Sequence, residues 1–322
     1  MSTAAMNAPI VVQDRFEVAA AHLPELRRLI ADDYRPAAAT RGLTYVEEHV
    51  SPPLPLDDQP VTLWVRWTLP DAGGFWAARA QTHDPSVGAF WAAVEALGAS
   101  RKRRYLVGPD AMTPAPEDLA PYAVTPALWR ETAQLYLPPD AGPEQLDALA
   151  RVLAKAADLP GIHTAALSAN FLADLGAGHF TWDLVYPDRP TAEAARASAL
   201  WREDILPALD AHCAARSALG LETIGAGARD PELTGGVKRT ALFRVLPGVP
   251  DAVVDRFAQD TLAMPAHIPA IRNWRLSRAV PLDWDATAAQ PWTFVWEQEY
   301  VDLDGLNVDY MVHPHHWAHV DR

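Results

Sequence analysis

Three stretches of this 322-residue chain can be laid over one another, and a chain that repeats itself has to fold by repetition. They run Thr62–Asp71, His179–Asp188 and Thr293–Asp302; each alternates apolar and polar residues, ends in Asp and leads into a helical pattern. Upstream of each lies an earlier strand followed by a helix: Ile10–Val18 then Leu23–Ala38, Thr132–Leu137 then Glu144–Ala157, and Thr240–Val245 then Val249–Leu262. A further strand follows each helix, over Leu43–His49, Ile162–Ser168 and Ile271–Ala279. The repeated unit therefore reads β-α-β-β-α. This predicts an α+β chain of three tandem ferredoxin-like repeats at 1–108, 130–224 and 237–322, with helices on one face of each sheet. The Pro-rich stretch 109–129 and the Gly-rich stretch 225–236 read as the two linkers.

Aligning the three strands separates their faces. Leu63, Val65, Trp67 and Leu69 match Phe180, Trp182, Leu184 and Tyr186, and then Phe294, Trp296, Gln298 and Tyr300, a face suited to packing on helices. On the opposite face a charge recurs at the centre: Arg66, Asp183, Glu297. The bulky Trp64 and Val295 beside these charges suggest a partly wet cavity between two sheets, so Arg66, Asp183, Trp64 and Glu299 become candidate substrate contacts. Two repeats closing one barrel would leave the third sheet with an uncovered face, which predicts a homodimer.

The balance of 27 basic against 41 acidic side chains, a formal charge of -14, disfavours nucleic acid and anionic membranes as partners. The one basic run, Arg101 to Arg104, reads as a solvated helix end. The single cysteine, Cys213, excludes an intrachain disulfide and reads as a packed thiol in a helix. No basic leader and no apolar run of membrane-spanning length is present, so a cytoplasmic location is expected.

Four of the eleven histidines fall in the last thirteen residues, beside Tyr310: His313, His315, His316 and His319. Imidazole and phenol side by side can both move protons. The same residues also suit a helix start, with His313 capping, Pro314 in the first turn and His316 filling a gap between sheet and helix.

The run Asp309, Tyr310, His313, Pro314, His315, His316 resembles the Tyr-x-x-His-Pro-x-His signature of the stress-responsive A/B barrel family, within the dimeric α+β barrel superfamily. The resemblance covers 237–322, and it is to the olivetolic-acid-cyclase type. It implies a ferredoxin-like fold and a cofactor-independent lyase, cyclase or isomerase acting on a small apolar carbonyl or aromatic compound. In that cyclase a Tyr and the second His of the motif form an acid/base pair, and the matching positions are Tyr310 and His316, with Glu297 as a further catalytic candidate and His313 as a substrate contact. The histidines expected on that cyclase's first and last strands fall near Arg239 and Phe294, so its substrate does not carry over. No cofactor and no metal are expected. Other readings of the resemblance are a cofactor-free oxygenase, a haem enzyme with His83, His179 or His316 as axial ligand, and a non-enzymatic stress-responsive binding protein. His316 and His319, with Glu297 or Glu299, would be the residues to hold a metal.

Overall fold

A computed structural model describes residues 8–56, 59–82, 84–109, 117, 128–171, 178–286 and 291–320. The chain forms two compact units. One takes its residues from Met1–Leu119, Ala263–Ile271 and Tyr300–Arg322, the other from Ala120–Leu262 and Arg272–Glu299. His83 and most of the expected linker 109–129 lie outside the described residues, as does the side chain of His319.

The first unit is built on β1 (Ile10–Ala19), β2 (Thr44–Ser51), β3 (Pro60–Leu69) and β4 (Ser100–Leu106), in the order β2-β3-β1-β4. All three pairings are antiparallel. Its helices are α1 (20–40), α2 (Ala72–Ala80) and α3 (Pro85–Ala96). Alternation decides the faces, as period 2 requires: Val61, Leu63, Val65, Trp67 and Leu69 are buried, and Arg66 between them is exposed. The core packs Phe16, Tyr34, Trp67, Phe75 and Phe90 against one another and admits Trp317 from the end of the chain.

The second unit holds a seven-stranded sheet. It uses β5 (Trp129–Tyr136), β6 (Thr164–Ala169), β7 (Phe180–Tyr186), β8 (Ala215–Ala228), β9 (Val237–Phe243), β10 (Asn273–Pro281) and β11 (Phe294–Tyr300), ordered β6-β7-β5-β8-β10-β11-β9. The first four places repeat the order of the four-stranded sheet, and the last three repeat it without a fourth strand. The joint is β8, which pairs with β5 on one edge and β10 on the other. Helices α4 (Pro143–Ala154), α5 (Arg189–Arg196), α6 (199–212) and α7 (Asp251–His267) accompany these strands, and helical turns α8 (303–310) and α9 (314–320) close the chain.

Here alternation gives way to near-continuous burial: along β11, Phe294 to Gln298 are all buried, and so are Thr181, Trp182, Asp183 and Leu184 on β7. One face packs on the helices through Trp182, Trp201 and Trp284, the first two stacked at 6.0 Å. The other face meets itself. Lys238 on β9 reaches Asp183 on β7, five places away in the sheet order, at 2.5 Å, so the sheet is curled around an interior. Leu219, Leu221 and Val295 fill one layer of that interior together with Leu242 and Trp292.

The Asp that ends each aligned strand has one job in all three places. Asp71 accepts from the Gly74 amide, Asp188 from Thr191 and Asp302 from Gly305, each at 2.8 Å, capping the helical turn that follows.

Two expectations are corrected. The run Arg101 to Arg104 is not a helix end but part of strand β4; alternation turns Arg103 toward β1, where buried Asp14 takes both its Nε and Nη2 at 2.7 Å. The Gly-rich stretch from 225 is likewise not a linker at its start, because β8 runs through it to Ala228. Its glycines make room. A Cβ at Gly225 would stand 2.8 Å from Leu262, and one at Gly227 within 2.9 Å of three atoms of the Trp274 ring. Among the described residues, no helix is long and apolar enough to cross a membrane.

Candidate functional site

The terminal motif lies in the first unit. Pro314 opens α9, and His313 caps it: its Nδ1 accepts from the His315 amide at 3.1 Å, and its carbonyl accepts from the His316 amide at 2.9 Å. The ring also hydrogen-bonds the backbone of His267, so both of its nitrogens are engaged. Burial, reinforced by charge repulsion from His267, pushes the His313 pKa down to about 4. It is a neutral, structural imidazole at pH 7. The Tyr310 and His316 rings stack at 4.0 Å, and the Trp76 ring lies 4.9 Å from that of His316. Trp76 fixes that arrangement by donating its indole N–H to the Met311 carbonyl at 2.6 Å. Tyr310 and His316 are only 1% and 3% exposed. Also in the first unit, Arg66 pairs with Glu47 on the exposed sheet face, and Trp64 stacks under Arg15.

Glu297, Glu299 and Asp183 belong to the second unit, on the interior face of the curled sheet. Alternation along β5, β7, β9 and β11 directs Arg130, Thr132, Asp183, Lys238 and Glu297 inward, and there they form one connected network. Arg130 clamps Glu297 with both guanidinium nitrogens. Lys238 sits 2.5 Å from Asp183 and 2.8 Å from Glu297, and the Thr132 hydroxyl donates to the other Asp183 oxygen at 2.8 Å. Two cations thus meet two carboxylates, the balance that burial demands.

Burial alone would raise the Glu297 pKa, but Arg130 and Lys238 more than reverse it and hold the carboxyl well below the ordinary range. Burial would likewise lower Lys238, and Asp183 with Glu297 keeps it above its usual value. Glu297 is therefore a fixed charge, poorly suited to carrying protons near pH 7.

Beside the network opens a cavity of about 270 Å³, lined by Arg130, Lys238, Glu297, Glu299, Asn273 and Arg275 among others. Glu299 accepts from the Asn273 carboxamide at 2.6 Å and is paired with no cation among the described residues. Asn273 and Glu299 are direct partners in the β10–β11 register, and Arg275 faces Glu297, which puts Glu299 and Arg275 on one diagonal of the same face. Burial lowers the Arg275 pKa first, and repulsion from Arg130 adds to it; its side-chain hydrogen bond is to the Thr223 hydroxyl at 3.1 Å.

Residues 237–322 match the Stress responsive A/B Barrel Domain family. That A/B barrel segment contributes β9, β10 and β11 to the curled sheet and the Tyr310 and His316 stack to the first unit. No curated protein matches the chain. Among solved structures, an anthrone oxidase-like protein is 12% identical with a TM-score of 0.43, over 56% of this chain and 75% of that one. A dimeric ferredoxin-like protein of unknown function from Thermobifida fusca YX is 19% identical with a TM-score of 0.28, over 33% and 97%. SnoaB, a cofactor-independent oxygenase from Streptomyces nogalater, is 20% identical with a TM-score of 0.23, over 32% and 94%.

Sequence reasoning missed Arg130, Lys238, Asn273 and Arg275. A signal was present for the first two: each stands two residues before a Thr on the first strand of its copy, and Thr132 is the residue that faces Asp183 across the sheet.

Proposed function

We propose that the chain carries out cofactor-independent acid/base chemistry, of the isomerase, lyase or cyclase kind, on a small carbonyl compound held in the 270 Å³ pocket of the second unit. Glu299 is the base. It removes a proton from the carbon next to the carbonyl, the C–H electron pair becomes the new carbon–carbon double bond while the carbonyl π pair moves to oxygen, and the Arg275 guanidinium stabilises the oxyanion that forms. Returning the proton to the same or another carbon regenerates Glu299. Arg130, Lys238, Asp183 and Glu297 are positioning residues that keep the pocket wall rigid and its charge balanced.

The observation that carries this reading is the contrast between two carboxylates on one wall, Glu297 ion-paired with two cations and Glu299 bonded to a carboxamide and, among the described residues, in no salt bridge. A base must be able to gain a proton, and the two cations on Glu297 hold it in its charged form. The diagonal spacing of Glu299 and Arg275 leaves room for a carbonyl and its neighbouring carbon between them.

The test is hydrogen exchange into acetoacetate and benzoylacetate in D2O, followed by mass spectrometry. The wild-type chain should accelerate exchange above buffer, and Glu299→Gln should lose about a hundredfold of that rate. A parallel His316→Ala variant separates this site from the Tyr310 and His316 pair: exchange lost in His316→Ala and retained in Glu299→Gln would move the chemistry to the terminal motif and refute the assignment. Exchange no faster than buffer for both probes also counts against it.

A further inference from the structure

The first unit has a larger opening of its own, about 740 Å³, between the helix-covered face of its sheet and the helices α2 and α3. Its wall combines Arg41, Arg79, Arg101 and Arg103 with the Trp91 and Phe75 rings, and none of the described residues lining it is acidic. In a chain of formal charge -14, such a concentration of positive charge runs against composition. Among the described residues, Arg103 is ion-paired, with Asp14, and Arg41, Arg79 and Arg101 make no salt bridge. Arg101 lies 3.6 Å over the Trp91 ring, a cation–π contact in place of a carboxylate. Loss of hydration lowers its pKa most, and repulsion from Arg103 lowers it further, together outweighing the attraction of Asp14 and Glu95. Arg41 is 5% exposed; its Nε donates to the Ala37 carbonyl, while its Nη2 is buried with no partner among the described residues. A buried guanidinium nitrogen left without an acceptor is costly, and an anion in the groove would relieve both that and the crowding.

We infer that this groove binds an aromatic carboxylate, its ring against Trp91 and Phe75 and its carboxylate among Arg41, Arg79 and Arg101. The volume is in the range of small-molecule sites, and planar guanidinium groups suit the two-oxygen geometry of a carboxylate. An apolar wall with a cationic rim selects for a molecule that has both halves, so neither a neutral aromatic nor an inorganic anion should satisfy it. The site is independent of Glu299 and its pocket in the second unit.

The test uses 2-naphthoate as ligand and 2-naphthalenemethanol as its uncharged counterpart, both measured by titration calorimetry with the full chain. Naphthoate should bind saturably, at least tenfold more tightly than the alcohol. The double variant Arg79→Gln, Arg101→Gln alters exposed side chains that make no hydrogen bond or salt bridge among the described residues, so it should fold normally and weaken naphthoate at least tenfold while leaving the alcohol unchanged. Arg41→Met should do the same, with circular dichroism confirming that it folds. Equal affinity for the two compounds, naphthoate binding unaffected by the double variant, or no saturation up to about 5 mM would overturn the inference.

Discussion

Replacing Lys238 by Met removes the cation that two buried carboxylates share, and the geometry sets the size of the effect. Asp183 would lose the one cation within ion-pair distance among the described residues and keep the Thr132 hydroxyl; Glu297 would keep both bonds from Arg130. Breaking a buried ion pair from one side destabilises by about 3 to 5 kcal/mol. Because Glu297 is still clamped, the deficit falls mainly on Asp183, and the lower end, about 3 kcal/mol, is expected. Adding Asp183→Asn to Lys238→Met restores the balance of one cation to one anion and should recover at least half of the loss. The chain has two units, so one global unfolding curve is a poor measure. Hydrogen exchange followed by mass spectrometry on peptides from β5, β7 and β11 reads the second unit directly. Lys238→Met should raise exchange there by about a hundredfold, 3 kcal/mol being roughly that factor, and leave β1 and β3 unchanged. Unaltered protection in β7, or a double variant no better protected than the single one, would refute the reasoning that this network is held by charge balance.

The His313 pKa of about 4 in the folded chain makes stability fall on acidification: the contribution is complete above the ordinary histidine value near 6.5 and is lost as pH drops toward 4, because there the unfolded chain binds a proton that the folded one refuses. The total is about 3 kcal/mol, and hydrogen-exchange protection of first-unit peptides from β1 and β3, corrected for the intrinsic pH dependence of exchange, should show a shallower pH dependence in His313→Gln than in the wild type over that interval. Gly227→Ala would drive a methyl group against the Trp274 ring at the edge of the 270 Å³ pocket and should destabilise the second unit by about 1 to 3 kcal/mol, read by the same exchange measurement on β8 and β10.

Strand-level features were legible because burial imposes period 2 on β1 and β3, and because the aligned strands share their capping Asp. The central charges Arg66, Asp183 and Glu297 were visible as a register, but their fates diverge for reasons that lie far along the chain. Asp183 and Glu297 meet at Lys238, 55 residues from the first and 59 from the second, whereas Arg66 finds Glu47 on an exposed face. Arg101 to Arg104 read as a solvated end since nothing nearby in sequence announces Asp14 or Trp91, which the fold brings from 89 and 10 residues away. Glycines at 225 and 227 looked like flexibility. Their reason, the bulk of Leu262 and Trp274, appears only when α7 and β10 are in place.

The long strand β8 carries a consequence for how this chain is cut and studied. It precedes the A/B barrel segment in sequence yet hydrogen-bonds the whole length of β10, from Asn273 to Pro281. A fragment excised at 237–322 would expose that edge as an open template for other chains, an aggregation hazard. It would also strand the Tyr310 and His316 stack without the Trp76 that flanks it. The borders of the family match and of the compact units differ: the match begins at 237, while the second unit takes in β5 to β8 and leaves 263–271 and 300–322 to the first.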